Sequence, residues 1–221
     1  MGFKKAFGAF IDLIFPPRCV FCGAVVPGGL PVCKACEGHI PYARAIKYMN
    51  IPDTGKTIIC TVPYSYSGQV RESIIRFKFQ NQKQFASFFA EKVAEQIRIG
   101  YPDIRFDMVT CVPISAKRRK TRGYNQSELI AADAALRLGL PYRECLAKVS
   151  DNREQHKLSE KERRRNVRGV YRQLCAEETA GKRVLLIDDI VTTGATLCEC
   201  ASVLYRNGAE EVACAAIAQV E

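Results

Sequence analysis

Thirteen residues constrain the fold of this chain more than any others: Val184-Leu-Leu-Ile-Asp188-Asp189-Ile-Val191-Thr192-Thr193-Gly194-Ala195-Thr196. An unbroken apolar run that ends in two acids reads as a strand buried on both faces whose carboxyl end meets solvent. A glycine inside the threonine-rich turn that follows reads as the entry to a helix, predicted over 195–207. A buried strand feeding a helix is the repeating unit of a parallel sheet. The sequence beyond Tyr42 agrees, with strands predicted at 58–66, 106–112 and 211–218 and helices at 69–79, 85–99 and 125–138. The expected fold is α/β, a mostly parallel sheet flanked by helices, and ligands of such sheets bind beyond the carboxyl ends of the strands.

The same segment carries legible chemistry. The carboxylates of Asp188 and Asp189 suit the two vicinal hydroxyls of a sugar, because ionised carboxylates only accept hydrogen bonds. The free N–H groups of a helix N-terminus, with the hydroxyls of Thr192, Thr193 and Thr196, suit a phosphate monoester. Gly194 lets the backbone approach that phosphate closely. An acid pair that merely caps a helix accounts for Asp189 or Thr192 but not for all the polar positions together.

The cysteines mark a second unit. Four of the eleven form Cys19-x2-Cys22-x10-Cys33-x2-Cys36, and the other seven are scattered. Two such knuckles let four thiolates converge on Zn2+, with Gly23, Gly28, Gly29, Pro27 and Pro31 supplying the turns between them. A disulfide pair is the competing reading, and His39 is an alternative ligand for one position. Zinc would supply most of the folding free energy of so short a ribbon, on the order of 10 kcal/mol. No open coordination position is indicated, so the site reads as structural. An odd cysteine total without a convincing export signal points to a reducing compartment, hence a cytoplasmic protein.

Ahead of the ribbon, Phe3, Phe7, Phe10, Ile11 and Ile14 fall at helical spacing. Asp12 interrupts the apolar stretch and no cleavage site follows, which argues against a signal peptide. An amphipathic helix over 1–18 is expected, packed on its own protein or docked on a membrane surface or partner; no transmembrane segment is expected. The organisation predicted is therefore a helix over 1–18, a four-cysteine zinc ribbon over 19–41 and an α/β domain over 42–221.

The net charge of +10 is concentrated. Residues 112–172 hold 16 Lys and Arg against 7 Asp and Glu, which is nearly the whole excess. A phosphate-rich partner or a solvated basic face accounts for such a run.

Taken together, the paired knuckles, Val112-Pro113-Ile-Ser115, Arg122-Gly123-Tyr124-Asn125-Gln126, Gln155-x-x-Leu158-Ser159 leading to Arg163-x-x-Asn166, and the acid–threonine–glycine segment resemble the ComF family. These are competence-associated, amidophosphoribosyltransferase-like proteins with an N-terminal zinc ribbon on a type I phosphoribosyltransferase fold. The resemblance implies that Asp188 and Asp189 hold the ribose of phosphoribosyl pyrophosphate (PRPP) and act in catalysis, and that Val191 to Thr196, with Ala195, hold its 5'-phosphate. It puts Pro113, Ser115, Ala116 and Lys117 in a pyrophosphate loop. A mobile loop over 148–169, together with a basic patch, takes in Arg118, Arg119, Arg122, Asn125, Gln126, Gln155, Arg163 and Asn166. His156 of that loop is a candidate general base, or merely solvated.

The activity implied is a glycosyltransferase reaction: displacement of pyrophosphate from PRPP by a nitrogen nucleophile, with Mg2+ on the diphosphate. The acceptor is not implied, because the matched elements reach Glu221 without the segments that grip a base in many relatives. Tyr64, Tyr66, Arg76, Phe77 and Lys78 are candidate acceptor contacts, although a strand and helix in the core show similar residues and core is the reading their pattern favours. The alternative function is single-stranded DNA binding or PRPP sensing within the DNA-uptake machinery, alongside competence or DNA-processing proteins. Its basis is the density of Lys117 to Arg122 and Arg163 to Arg165, although few aromatics interleave with them for base stacking.

Overall fold

A computed structural model describes residues 16–28, 30–43, 46–150 and 169–220. The amphipathic stretch before Pro16, and Gln155, His156, Arg163 and Asn166, lie outside the described residues. The elements run α1 (Lys34–Glu37), β1 (Lys47–Asn50), β2 (Thr57–Thr61), β3 (Tyr64–Ser65), α2 (Gly68–Phe79), α3 (Phe85–Gly100), β4 (Met108–Cys111), α4 (Ala116–Arg122), α5 (Gln126–Leu138), β5 (Leu146–Lys148), β6 (Tyr171–Gln173), α6 (Ala176–Thr179), β7 (Arg183–Val191), α7 (Ala195–Arg206) and β8 (Glu211–Gln219). No helix among the described residues is long and apolar enough to cross a membrane.

The main sheet has the order β1-β2-β8-β7-β4, parallel throughout except for β1, which runs antiparallel to β2. Along β7, successive side chains serve opposite faces. Leu185 and Ile187 pack under α3 and α5 with Phe89, Val93, Ile130 and Ala134, while Val184 and Leu186 pack under α7 with Leu197, Ala201 and Leu204. Both faces are covered, which is why this strand reads as a continuous apolar run rather than an alternation. Its neighbour β8 is built largely of small residues, Ala213, Cys214, Ala215, Ala216 and Ala218, all buried. Tyr101 closes one end of the layer, its hydroxyl donating to the carbonyls of Ile59 and Cys214 at 2.8 and 2.7 Å.

The single strand expected over 58–66 is two short ones. β2 and β3 pair with β8 in one register, Cys60 opposite Cys214 and Tyr64 opposite Ala218. Between them stands Pro63, which has no N–H to give the ladder. At the other border of the sheet, the chain at 141–143 runs alongside β4: Val109 N donates to Pro141 O at 2.9 Å and Arg143 N to Val109 O at 3.0 Å. That edge is thereby covered. The strands β1, β5 and β6 and the helices α1, α4 and α6 had no expectation in the sequence; at three to seven residues each they are too short to show a period.

The ribbon shares its core with the sheet domain. Phe21, 1% exposed, meets Tyr64 and Phe88 edge to face at 5.9 and 5.6 Å, and Val20 and Val26 are buried with it. Its folding therefore draws on apolar burial as well as on a metal. All eleven cysteines are free thiols, and Cys60, Cys111, Cys145, Cys198, Cys200 and Cys214 are buried. Burial pushes the Cys111 thiol up to about 12 and raises Cys60, Cys200 and Cys214 as well.

Candidate functional site

The carboxyl end of β7 delivers the acid pair. Asp188 Oδ1 accepts from the Ser127 hydroxyl at 2.9 Å and from the Asp189 amide at 2.8 Å. Asp189 Oδ2 takes an ion pair with Lys78 at 2.8 Å, in which both side chains are largely enclosed. Burial pushes the Asp188 carboxyl up to about 7; the charge of Asp189 adds to this, and the Asp189 amide, Lys78 and Ser127 oppose it. Strongly shifted carboxyls cluster at ligand sites, and burial beside a second acid gives Asp188 that character.

Beyond the pair, the chain turns through Val191 to Thr196 into α7. Gly194 is the N-cap at φ +82°, and a Cβ there would overlap Met49 Sδ of β1. Thr193 Oγ1 accepts from the Ala195 amide at 3.4 Å, and the Lys47 ammonium donates to the Thr192 carbonyl. Thr196 meets the Tyr171 hydroxyl across the turn. The α7 N–H groups that would face an anion thus begin beside a lysine that brings a positive charge to the same loop. Changing Gly194 to Ala is expected to cost about 1–2 kcal/mol from the left-handed backbone alone, with the Met49 clash in addition; denaturant melts read this directly.

The third side of the site is the carboxyl end of β4. Of the residues that the resemblance puts in a pyrophosphate loop, Ala116 and Lys117 lie in the first turn of α4, with Ser115 as N-cap accepting from the Arg118 amide at 3.3 Å. Only Pro113, Ile114 and Ser115 are left as the turn. Asn125 and Gln126, expected with the mobile loop and basic patch, are buried at 1% and 0% exposure. Asn125 caps α5 through the Ser127 amide at 3.2 Å and donates to the Val112 carbonyl at 3.0 Å, so it binds the helix to the strand end. Gln126 accepts from Arg122 at 3.2 Å, and its buried amide nitrogen has no hydrogen-bond partner among the described residues. Arg122 lies over the Phe79 ring at 5.0 Å. Its pKa is pulled down by burial; Arg118 adds to that and Asp189 opposes it. Arg119 is engaged by Glu128 at 2.5 Å.

Of the proposed acceptor contacts, Tyr64 and Phe77 are core, Arg76 is turned to the ribbon and Tyr66 is half-buried with Asp189 in its electrostatic surroundings. Lys78 alone among the five bonds to the acids. The site residues that sequence reasoning missed are Ser127 and Lys47; Ser127 adjoins the Asn-Gln motif, whereas nothing local distinguishes Lys47. A cleft of about 820 Å³ opens between β1 and α7, lined by Tyr48 to Thr54, Thr193, Ala195, Cys198, Glu199, Ser202 and Arg206. It touches the phosphate-type turn but neither acid, so converging polar groups rather than concavity locate the site.

In the ribbon, the Sγ atoms of Cys19, Cys22, Cys33 and Cys36 lie within 4.8 Å of one another. Cys22 and Cys33 are 3.6 Å apart, far beyond a disulfide bond but close to the roughly 3.8 Å edge of a tetrahedron with 2.3 Å zinc–sulfur bonds. His39 instead turns its ring to the Ala35 carbonyl at 3.1 Å. Burial works to raise the Cys19 thiol, yet N–H groups of Cys33, Cys22 and Phe21 bring it down to about 6. Four thiols converging in this shape fit structural zinc, whose own charge would hold them as thiolates.

Comparison with known proteins gives the same two parts. Residues 125–220 match the phosphoribosyl transferase domain, and residues 10–46 match the double zinc ribbon domain. The chain is 26% identical over 203 residues to "DNA utilization protein YhgH" of Salmonella typhi, covering 88% of this chain and 86% of that protein. It is 29% identical over 150 residues to "Competence protein ComFC" of Bacillus subtilis, covering 66% and 57%. To "Competence protein F" of Haemophilus influenzae it is 32% identical over 144 residues, covering 63% of each. Among solved structures, an adenine phosphoribosyltransferase from Thermoanaerobacter pseudethanolicus aligns at a TM-score of 0.39 and 14% identity, covering 78% of this chain and 94% of that one.

Proposed function

Because the chain belongs to the ComF family, homologous to ComFC and competence protein F with a double zinc ribbon ahead of a phosphoribosyl transferase domain, we propose that it binds PRPP and transfers its phosphoribosyl group to a nitrogen acceptor. The observation that carries this reading is the adjacency of the acid pair to the glycine turn: Asp188 and Asp189 leave β7 only a few residues before Gly194 opens α7. A ribose diol on the acids puts the sugar's 5'-phosphate within the span of Thr192 to Thr196. The diphosphate at the other side of the ring then faces Ser115 and the α4 N-terminus, with Arg118 and Arg122 at hand. Mg2+ enters with PRPP as part of the substrate and supplies charge for the departing pyrophosphate. The chain's own residues hold the diol, fix the phosphate and offset the developing negative charge. The acid pair stabilises the positive sugar centre rather than attacking it.

Titration calorimetry with Mg2+–PRPP is the first test, and pyrophosphate release over a panel of bases, amines and DNA is the second. Binding without release under any acceptor would favour a sensing role; absence of binding would overturn the proposal.

One observation favours the DNA reading as well. Lys117 and Lys120 of α4 are exposed, and no ion pair engages either among the described residues. Single-stranded DNA held by Z such cations gives a slope of roughly −0.7Z in log affinity against log salt. Lys117→Ala with Lys120→Ala is expected to flatten that slope by about 1.4 in a fluorescence-anisotropy titration, and an unchanged slope removes α4 from the interface.

A further inference from the structure

Helix α2 touches the ribbon and the acid pair at once. Gln69 Nε2 donates to the Cys36 carbonyl at 2.9 Å and Ser73 Oγ to the Val20 carbonyl at 2.6 Å. Arg76 Nη2 donates to the carbonyls of Val20 and Phe21 at 2.8 and 2.5 Å, and its guanidinium lies over the Phe85 ring. These are the backbone groups of the first knuckle and the end of the second. Ser73 and Arg76, three apart, share a face of the helix; Lys78, two residues on, points well round from that face and reaches Asp189 at 2.8 Å. Rotation or sliding of α2 against the ribbon would therefore carry Lys78 away from the acid.

We propose that Lys78 is a positioning residue for the acid pair, and that the ribbon, acting through Ser73 and Arg76, sets where Lys78 stands. Two carboxylates side by side repel, and a fixed ammonium on Asp189 lets both remain oriented toward a ligand. The ribbon then serves the site from a distance, by fixing the helix that carries the cation. The consequence for PRPP rests on the function proposed above; the electrostatic part does not.

The test reads the carboxyl carbon of Asp188 by NMR through a pH titration of the full-length, zinc-loaded protein. The groups around Asp188 are Asp189 beside it, Lys78 on α2, Ser127 on α5, Tyr171 on β6, Cys60 on β2, Cys111 on β4, Cys214 on β8 and Cys200 on α7. Arg122 and Arg118 of α4 add charge around Asp189. Lys78→Met removes the one cation bonded to the pair among the described residues and is expected to move the Asp188 midpoint up by roughly one unit. Lys78→Arg restores it. Arg76→Met, with Lys78 intact and zinc content verified by mass spectrometry, moves the midpoint the same way by a smaller amount.

Mg2+–PRPP affinity at pH 7 falls roughly fivefold in Lys78→Met, because a midpoint moved up by about one unit from about 7 leaves far fewer carboxyls ionised at that pH, and it recovers at higher pH. An Asp188 midpoint that stays put in Lys78→Met overturns the positioning role. A wild-type midpoint in Arg76→Met overturns the part given to the ribbon. If Lys78→Met does not fold, Lys78→Gln replaces it with the same expected direction. If wild type fails to bind PRPP, the function proposed above fails while the carboxyl titration still decides this inference.

Discussion

Changing Asp188 and Asp189 together to Asn is expected to weaken Mg2+–PRPP binding by more than about 100-fold in titration calorimetry. Hydrogen bonds to a charged group contribute about 1.5–3 kcal/mol each, and the double change removes the charge from both acceptors of the diol. Thermal melts of the single Asp188→Asn variant separate a ligand site from a structural one through stability. The Asp188 carboxyl stands at about 7 against an ordinary 3.8, raised by burial and then by Asp189. The folded state consequently binds more protons than the unfolded state between those values. That stability is fully present below the unfolded value and is lost as pH rises through the folded one.

Asparagine at 188 keeps the oxygen that accepts from Ser127 and from the Asp189 amide while discarding the buried charge. Asp188→Asn should therefore melt above wild type at pH 8 and lose that advantage toward pH 4, even as it loses the ligand. A variant that is less stable than wild type at pH 8 would mean that the acid is retained for folding.

Stripping the metal is the second large effect. Chelation, or Cys19→Ser with Cys22→Ser, is expected to lower the melting temperature by about 10 °C or more, since several kcal/mol at this chain length shift it by about 2–4 °C per kcal/mol. The reason goes beyond the cost of losing the knuckle. Phe21 fills the space between Tyr64 and Phe88, and the Val20 carbonyl holds both Ser73 and Arg76. Releasing the ribbon uncovers that apolar surface and leaves α2 with a buried hydroxyl and guanidinium short of acceptors. Differential scanning calorimetry with and without a chelator reads the shift. An unchanged transition would mean that the four cysteines do not carry zinc in the folded protein.

What can be read from the residues alone follows a physical line. β7, α7, α3 and α5 are long, and each keeps one pattern along its length, so pattern finds them. The acid–threonine–glycine turn is legible because its carboxylates and hydroxyls sit together in the chain. β1 and the β5–β6 hairpin carry too few residues for a period. The strand expected over 58–66 comes out too long because pattern does not see the missing N–H of Pro63. Ala116 and Lys117 look like loop because the Ser115 cap, a few residues after a strand, starts a helix on sequence that is merely basic. Lys47 and Lys78 are the hardest to place as site residues, since each reaches the site through tertiary structure, 145 residues from Thr192 in one case. Asn125 shows the converse: its motif stands out in the sequence, yet its geometry makes it a fastener between β4 and α5 rather than a contact for ligand.

The six thiols enclosed in the sheet domain give the protein an internal clock for its own opening. Cys60, Cys111, Cys145, Cys198, Cys200 and Cys214 are shut away from solvent, whereas Cys22 of the ribbon is exposed. Alkylating reagents attack thiolates, so the folded chain should label at the half-buried Cys175 and, when zinc is absent, at the ribbon. Mass increments beyond Cys175 and the ribbon cysteines would then count molecules whose sheet has opened, without any engineered probe. Because Cys60 and Cys214 face each other across β2 and β8 while Cys111 sits at the end of β4, the order in which those masses appear would report which side of the sheet parts first.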